Sequence, residues 1–470
     1  MLDYMDYVQK CFESGGKWER SKSYGEVTRT SLNLVDFRIP DGVSLQVSNK
    51  ATPYSYNSLQ ISTRNSVNGA LSYLYTDLEA IKDIVKDTKN VSLQEVSQTY
   101  ERPTGPGNNI ARPKPQDPGY RKFQKSSLYY GKIYYPSSDI EALLMKRVSP
   151  TTQLVLKCFS SLKENTNIFT GYLQRDSGRN FQELILSSND LLCGYRVAHN
   201  FLTTPSKLNS SLYNNSSLSL GAEVWLGLIS LNPGCSTTVK YCTHSANTGR
   251  PLTLTLSWNP LFGHISSTYS AKTSACSTFC AKYDFNIYSI ESNLTFGCEF
   301  WRRNTVPKKE SPVLTAPNTA EYEKHFYISH DHNLLPPQYL SALKDTNIRE
   351  PSKGKRNHEQ LLNDLTHTFS TSLRKIDKEK SRIERFETSM RDSHFTNVFK
   401  MATSLRDKNL KLLWEGEYRN FLISAGTELL FPRNPSFMAD TKQSQPAGSN
   451  MLSALSIQPL KFGIQFQFSS

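Results

Sequence analysis

The chain has 470 residues, a net charge of +13, 37% hydrophobic residues and a mean hydropathy of −0.51. No run approaches the roughly 18 apolar residues that a membrane helix needs, which excludes a helical membrane protein. A β-barrel is not excluded, because a barrel strand takes only about 10 residues and only alternate ones meet hydrocarbon. The 24 Tyr and 23 Phe suit the aromatic girdles of such a barrel and suit a soluble β-sandwich equally.

The opening segment, MLDYMDYVQKCFESGGKW, carries Asp3 and Asp6 and no apolar core of signal-peptide length. It is also neither Arg-rich nor poor in acids, as a cleaved mitochondrial presequence would be. Synthesis in the cytosol with the first residue kept is the expectation. The eight cysteines (11, 158, 193, 235, 242, 276, 280 and 298) show no paired spacing, so free thiols are expected. The Asn-x-Ser/Thr triplets at Asn209, Asn214, Asn215 and Asn293 are expected to stay unmodified.

Met1, Tyr4, Met5, Val8, Cys11 and Phe12 follow helical spacing and form one apolar stripe, so residues 1–16 are predicted to be an amphipathic helix stopped by Ser14-Gly15-Gly16. Such a helix caps a soluble core or lodges in a barrel lumen. Beyond it the period changes to two. Leu252, Leu254, Leu256 and Trp258 alternate with Thr253, Thr255 and Ser257. Leu218, Leu220, Ala222, Val224, Leu226 and Leu228 share one face, with Trp225 the exception on the other. Leu294, Phe296, Cys298 and Phe300 alternate likewise, and Phe421, Ile423, Ala425 and Leu429 continue the pattern. One face meets an apolar medium and the other a polar one.

A protein core or lipid could be that medium. The polar faces are rich in Ser, Thr, Gly, Asn and Gln, as an enclosed lumen wall would be, and the stretches are long for soluble strands. Strand candidates recur over about 34–75, 126–301, 365–430 and 460–469, some nineteen to twenty-one in all. A sheet of that size in lipid must close, which places a transmembrane β-barrel over residues 30–470. Polar insertions interrupt it at 77–124, 302–360 and 432–458; they are rich in Pro, Gly and charge and are expected to be mobile loops. The charged run 375–394 has helical character and is expected to lie outside the membrane.

The last strand, Lys461-Phe462-Gly463-Ile464-Gln465-Phe466-Gln467-Phe468, alternates throughout. It looks like the sorting signal of mitochondrial β-barrels, with Lys461, Gly463, Phe466 and Phe468 in the polar, glycine and two hydrophobic places. A nearly terminal alternating strand is able to pair with an open sheet edge in an insertion machine. Gly463 would let another backbone approach closely. The plainer alternative is an edge strand of a soluble domain.

The segments at 191–228, 247–273 and 405–431, the opening MLDYMDYVQ, LVDFRIPDGVSLQVSNK and the ending KFGIQFQF resemble the mitochondrial distribution and morphology family, fungal outer-membrane barrels of the porin-type superfamily. The likeness fails mainly in the three insertions. It implies a closed barrel of about nineteen strands with its N-terminal helix in or near the lumen. It also implies two memberships and no catalysis. One is the endoplasmic reticulum–mitochondria encounter structure, with lipid-binding partners and a reticulum membrane partner. The other is the sorting and assembly machinery, with its central barrel and peripheral subunits, which assembles other barrels and import-translocase subunits. Phospholipid exchange, mitochondrial shape and mitochondrial DNA inheritance would follow from the first.

Tyr73 and Tyr75 lie two apart on one strand face, and Tyr283, Phe285 and Tyr288 form a second aromatic cluster. Either is an interfacial girdle or a partner-binding surface, since Tyr and Trp dominate binding hot spots. The expectation is that one cluster faces the tether and the other the assembly machinery. Enzyme signals are poor: Gly15-Gly16-Lys17 lacks the rest of a phosphate loop. Cys235, Cys242 and His244, or Cys276 and Cys280, do not give four ligands at zinc-finger spacing, and His325, His330 and His332 fall in a loop. No catalytic, cofactor or metal site is assigned. The basic balance suits anionic lipid headgroups, and no recognition motif supports nucleic acid. The other reading is an anion-channel-like metabolite pore of the outer membrane.

Overall fold

The computed structural model of the chain describes residues 1–63, 66–100, 125–201, 216–245, 248–303, 395–431 and 458–470, with isolated positions between 382 and 390. These belong to one unit, Met1–Arg303 with Lys378–Ser470; the unit Asn304–Asp377 falls outside them.

Helix α1 (Tyr4–Gly15) opens the chain, followed by α2 (Tyr24–Val27) and α3 (Arg29–Val35). Then come strands β1 (Gly42–Thr52), β2 (Ser55–Thr63) and β3 (Val67–Thr76), and two one-turn helices, α4 (Ile81–Ile84) and α5 (Leu93–Val96). A run of strands follows: β4 (Ser127–Tyr135), β5 (Ile140–Ser149), β6 (Thr152–Ser161), β7 (Thr166–Asp176), β8 (Asn180–Ser187) and β9 (Leu192–Phe201). It continues with β10 (Ser217–Gly227), β11 (Pro233–His244), β12 (Pro251–Asn259), β13 (His264–Lys272), β14 (Ser277–Asn286) and β15 (Glu291–Arg303). The last four are β16 (Phe395–Ser404), β17 (Asn409–Tyr418), β18 (Phe421–Leu430) and β19 (Gln458–Ser469).

All nineteen strands form one sheet in which each pairs antiparallel with its sequence neighbours, and β1 closes the circle by pairing parallel with β19. The expected closed barrel is therefore present, with an N-terminal helix, and none of the described helices is long and apolar enough to cross a membrane. Closure follows from the solvent: an unpaired row of N–H and C=O groups in hydrocarbon costs several kcal/mol per group, and a ring of strands has no such row.

The period-two pattern sorts itself onto the two faces of this wall. In β1, Ser44, Gln46 and Ser48 point inward and are buried, whereas Val43, Leu45 and Val47 point outward and are exposed. In β12, Thr253 and Thr255 are buried inside while Leu254, Leu256 and Trp258 stand outside. An apolar band running round the molecule far exceeds the apolar patches that soluble monomers expose, and hydrocarbon is the medium it fits. Trp225, the exception in β10, falls on the lumen side, where the Arg196 guanidinium lies 4.8 Å from its ring.

Gly463 shows how the seam is made. A Cβ at this position would stand 2.5 Å from the Pro40 carbonyl oxygen and 2.6 Å from that of Gly42, so the chain entering β1 crosses directly over it. Backbone does approach Gly463 closely, and it is the chain's own, from Pro40 to Gly42.

Two expectations change. Residues 30–41, assigned to the barrel, instead form most of α3 and an extended lead-in that packs Phe37 and Ile39 against Ala402 and Leu413; the barrel begins at Gly42. Part of the 77–124 insertion is folded rather than a mobile loop: Leu78, Ile81, Val85, Val91, Leu93, Val96 and Tyr100 are all buried. The remainder, 101–124, lies outside the described residues, as do 304–381 and 432–457; Arg302, Arg303 and Gln458 belong to strands. Of the charged run 375–394, the described positions between 382 and 390 are helical, and Met390 joins the apolar cluster around Trp301 and Phe395.

Alternating strand direction assigns every connection to a rim. The connections at 77–126, 202–216 and 304–394 all leave from one rim, which also holds the end of β19. The opposite rim carries the hairpin turns 136–139, 162–165, 188–191, 228–232, 260–263, 287–290 and 405–408, and the β18–β19 connection at 431–457 also leaves from it, so three of the four longest connections share the first rim.

Gly463→Val should fail at the seam, because a branched side chain must displace the Pro40–Gly42 backbone. Folding into detergent micelles, followed by the mobility difference between heated and unheated samples on gels, should show a larger unfolded fraction than for the parent. An unchanged fraction would mean that the crossing is not needed for closure.

Candidate functional site in the lumen and on the outer wall

Much of the lumen is occupied by the chain's own segments. Helix α1 buries Tyr4, Met5, Tyr7, Val8, Cys11 and Phe12, close to the stripe expected from spacing, against Tyr56, Leu74, Leu128, Met145, Val155, Val398 and Leu422 of the wall. Fully burying Met5, Val8 and Phe12 contributes on the order of 2 kcal/mol each. Asp3 does not cap the helix; its carboxylate accepts from the Gln46 amide on β1 and lies 3.7 Å from the Lys132 ammonium on β4. The Gly15-Gly16 stop also has a packing role, since a Cβ on Gly15 would press at 2.9 Å on Ile84 of α4.

The 78–100 segment lies beside α1 in the same cluster. Leu2 donates its backbone N–H to the Val96 carbonyl at 2.9 Å, and the Gln467 side chain on β19 donates to the Leu2 carbonyl at 3.2 Å. The Thr88 and Ser469 hydroxyls share a hydrogen bond at 2.7 Å and the Ser469 N–H donates to the Thr88 hydroxyl, fixing this segment to the last residues of β19. Lys400 on β16 donates to the Gln98 carbonyl at 2.5 Å and faces Glu415 on β17 at 3.4 Å. Glu415 also pairs with the Met1 ammonium, so one buried carboxylate holds two cations.

The rest of the N-terminal segment follows the wall. Trp18 stacks edge-on to Phe181 at 5.8 Å with the Arg147 guanidinium 5.2 Å from its ring, and Arg147 donates to the Gly16 carbonyl. The Tyr24 hydroxyl meets Ser236 at 2.5 Å and Thr238 at 3.2 Å on β11. At α3, the Leu34 carbonyl lies where a Gly297 Cβ would stand, so β15 carries a glycine beneath the helix.

This plug occupies the end of the lumen nearer the long connections; among its neighbours are Trp301, Phe395 and Leu422, all near strand ends on that rim. Toward the other rim a recess of about 870 Å³ opens, lined in part by Gln60, Ser62, Asn68, Tyr134, Asp139 and Lys163. Charges that line the lumen meet opposite charges: Arg196 with Glu223 at 2.9 Å and Glu183 at 3.5 Å, and Lys282 with Asp284 at 2.9 Å. In α1, burial pushes the Cys11 thiol up to about 11, and burial likewise raises the Glu13 carboxyl while Arg20 pulls it back. Among the described residues no group of three or more His, Cys, Asp or Glu is placed to hold a metal ion. His325, His330 and His332 lie outside the described residues.

The aromatic candidates all fall outside the barrel. Tyr73 and Tyr75 stand outward near the end of β3 on the long-connection rim, 51% and 42% exposed, with the Tyr75 ring 6.4 Å from Tyr129. Tyr283 and Phe285 stand outward near the end of β14 on the opposite rim. Tyr288 lies in the following turn, its hydroxyl donating to the Pro260 carbonyl at 2.9 Å. By the shorter way round, β3 and β14 are eight strand steps apart in a ring of nineteen. The clusters therefore occupy nearly opposite walls and opposite rims. Of the sorting-strand residues, Phe466 and Phe468 share the outward-facing parity of β19 and Gly463 faces inward; Lys461, of the same parity as Gly463, is exposed near the rim.

What sequence reasoning missed is the wall side of the plug: Gln46, Lys132, Lys400, Glu415 and Gln467. A buried Lys or Glu in a strand of otherwise small polar residues was the available signal.

Glu415→Ala would leave Lys400 buried without its carboxylate, a loss of about 3–5 kcal/mol for such pairs. Amide exchange in residues 4–15 should quicken while the strand amides stay protected; unchanged exchange in α1 would show that the pair does not hold the plug. In the folded parent, Cys11 should resist maleimide at pH 8 and react on unfolding, as mapped by mass spectrometry; fast labelling of the folded protein would contradict the packing.

A family model described as Mitochondrial distribution and morphology protein 10 matches residues 1–470. A relative bearing that name from Candida glabrata is 62% identical over 472 residues, covering 100% of both chains. One from Saccharomyces cerevisiae is 51% identical over 500 residues and one from Vanderwaltozyma polyspora 45% over 470, again covering 100% of both chains. The chain belongs to the Mitochondrial distribution and morphology protein 10 family.

Proposed function

We propose that this protein is a non-enzymatic barrel of the mitochondrial outer membrane that acts through its outer wall and rims as an anchor for other proteins. Membership of the family supports a role in mitochondrial distribution and morphology, and a structural or transport role rather than catalysis. The observation that carries the finer reading is the plug across one end of the lumen. A barrel whose interior is occupied by α1, α4, α5 and their ion pairs has spent its inner surface on itself. What is left to act is the outside.

On that outside, two aromatic clusters stand at nearly opposite places, which suits two partners engaged separately. One is the encounter structure that tethers the endoplasmic reticulum, through lipid-binding partners and a reticulum membrane protein, with phospholipid exchange, mitochondrial shape and mitochondrial DNA inheritance as consequences. The other is the sorting and assembly machinery, its central barrel and peripheral subunits, serving barrel and import-translocase assembly. Lys461, Gly463, Phe466 and Phe468 would deliver the barrel itself to that machinery, the β19 strand pairing with an open edge before β1 takes its place.

Alanine at both Tyr73 and Tyr75 should weaken co-purification of one complex and spare the other, and alanine at Tyr283 and Phe285 should do the reverse. Equal loss of both complexes, or of neither, would defeat the division. The plug also separates the anchor from a metabolite pore. Purified full-length protein in planar bilayers should give little conductance, and large anion-selective steps would favour the pore instead.

A further inference from the structure

Exposed apolar side chains are concentrated in three adjacent turns of one rim. Turn 228–232 (Leu-Ile-Ser-Leu-Asn) joins β10 to β11, turn 260–263 (Pro-Leu-Phe-Gly) joins β12 to β13, and turn 287–290 (Ile-Tyr-Ser-Ile) joins β14 to β15. None contains Asp, Glu, Lys or Arg, and they expose Leu228, Ile229, Leu231, Leu261, Phe262 and Ile290. On the same rim, turns 162–165 (Leu-Lys-Glu-Asn), 188–191 (Ser-Asn-Asp-Leu) and 405–408 (Leu-Arg-Asp-Lys) each expose a single leucine beside one or more charged residues, and turn 136–139 carries Asp139. On the opposite rim the short turns 53–54, 150–151, 177–179, 273–276 and 419–420 hold no Leu, Ile, Val or Phe. Among the described turns of this rim, those free of Asp, Glu, Lys and Arg form a crown confined to one sector.

Three features describe the medium that sector meets. First, the crown is continuous with the lipid-facing wall: Val224 and Leu226 run into Leu228, and Leu254, Leu256 and Trp258 run into Leu261. Secondly, the turns satisfy their own polar groups, as an apolar medium requires and water does not. The Asn286 side chain accepts from the N–H groups of Tyr288 at 2.9 Å and Ser289 at 3.1 Å. The Ile287 N–H donates to the Gly263 carbonyl at 2.8 Å, tying two turns together alongside the Tyr288 hydroxyl. Asp190 accepts from the Ser230 N–H at 3.0 Å, tying turn 228–232 to its other neighbour. Thirdly, Leu231 and Ile290 hold left-handed backbone (φ 55° and 56°) while 72% and 80% exposed. Water would favour Gly or Asn there on both counts, and a β-branched residue with positive φ is a marked exception. Transfer of those side chains out of water supplies the compensation.

We propose that this crown is immersed in the boundary between headgroups and acyl chains of one leaflet, so that the β10–β15 sector sits deeper in the bilayer than the rest of its rim. Strands of about 10 residues, tilted as barrel strands are, already span the hydrocarbon, which puts their turns at that boundary. Tyr283 and Phe285 remain on the wall, open to a partner in the membrane plane; Tyr288 is a strut between turns.

The test uses full-length protein reconstituted without partners in phosphatidylcholine vesicles, with an environment-sensitive fluorescent amino acid placed singly at 231, 262 or 290. Labels at 163 and 407 serve as same-rim references, and a label at 256 on the wall reports insertion of the barrel itself. Spin-labelled lipids with the quencher near the headgroup should quench the three crown labels roughly threefold or more strongly than the references, the depth of 5–10 Å being that of interfacial side chains. Crown labels as accessible to water as the references, with 256 quenched, would overturn the proposal while leaving the barrel intact. Crown labels open in vesicles yet shielded in the native complex would also overturn it, assigning the cover to a protein. Three separate turns are probed, so failure of one variant to fold leaves the others decisive.

Discussion

A sheet in hydrocarbon has to have no edge, and the rest of this molecule is arranged around that demand. Eighteen of the pairings could form by neighbours simply finding each other along the chain; the nineteenth, β1 with β19, joins the two ends and runs parallel because the strand number is odd. The seam is crowded, with the chain before β1 lying over Gly463. It is also reinforced from within, where Gln467 binds the Leu2 carbonyl and Ser469 binds Thr88. The plug and the closing pair are thus one construction: the segments that fill the lumen grip the strand that completes it.

Filling the lumen settles a second problem. A wall whose inner face is Ser, Thr, Gln and occasional charge is stable against water and costly against apolar helices unless each polar group is answered. Here α1 and the 78–100 segment present apolar residues to the apolar positions of the wall, such as Leu74, Leu128 and Val398. Where charge is unavoidable it is paired, as with Lys400, Glu415 and the Met1 ammonium. The exterior keeps its aromatic and aliphatic side chains exposed.

The strands were legible because alternation is local: Leu254-Thr255-Leu256 declares two faces without knowing any neighbour. So was α1, whose stripe from Tyr4 to Phe12 is long enough to show its period. The 78–100 segment was not, since α4 and α5 are four residues each and have no period to display. Their order comes from distant partners, such as Lys400 for Gln98. The barrel is expected from residue 30, yet Arg29–Val35 form α3, a helix of seven residues and too short to display a clear period. The apolar crown escaped notice for another reason. Leu-Ile-Ser-Leu-Asn looks like the end of a strand until register shows that it turns.

The seam admits a direct measurement. Leu45 on β1 and Phe466 on β19 are register partners on the outer face, as are Leu45 and Ile61 across β1 and β2. Cysteines at 45 and 466 in the folded full-length barrel should form a disulfide on mild oxidation, identified as a cross-linked peptide by mass spectrometry, as readily as cysteines at 45 and 61. A bond between 45 and 61 without one between 45 and 466 would mean that the sheet is open, and the account of closure, plug and outward function would fall with it.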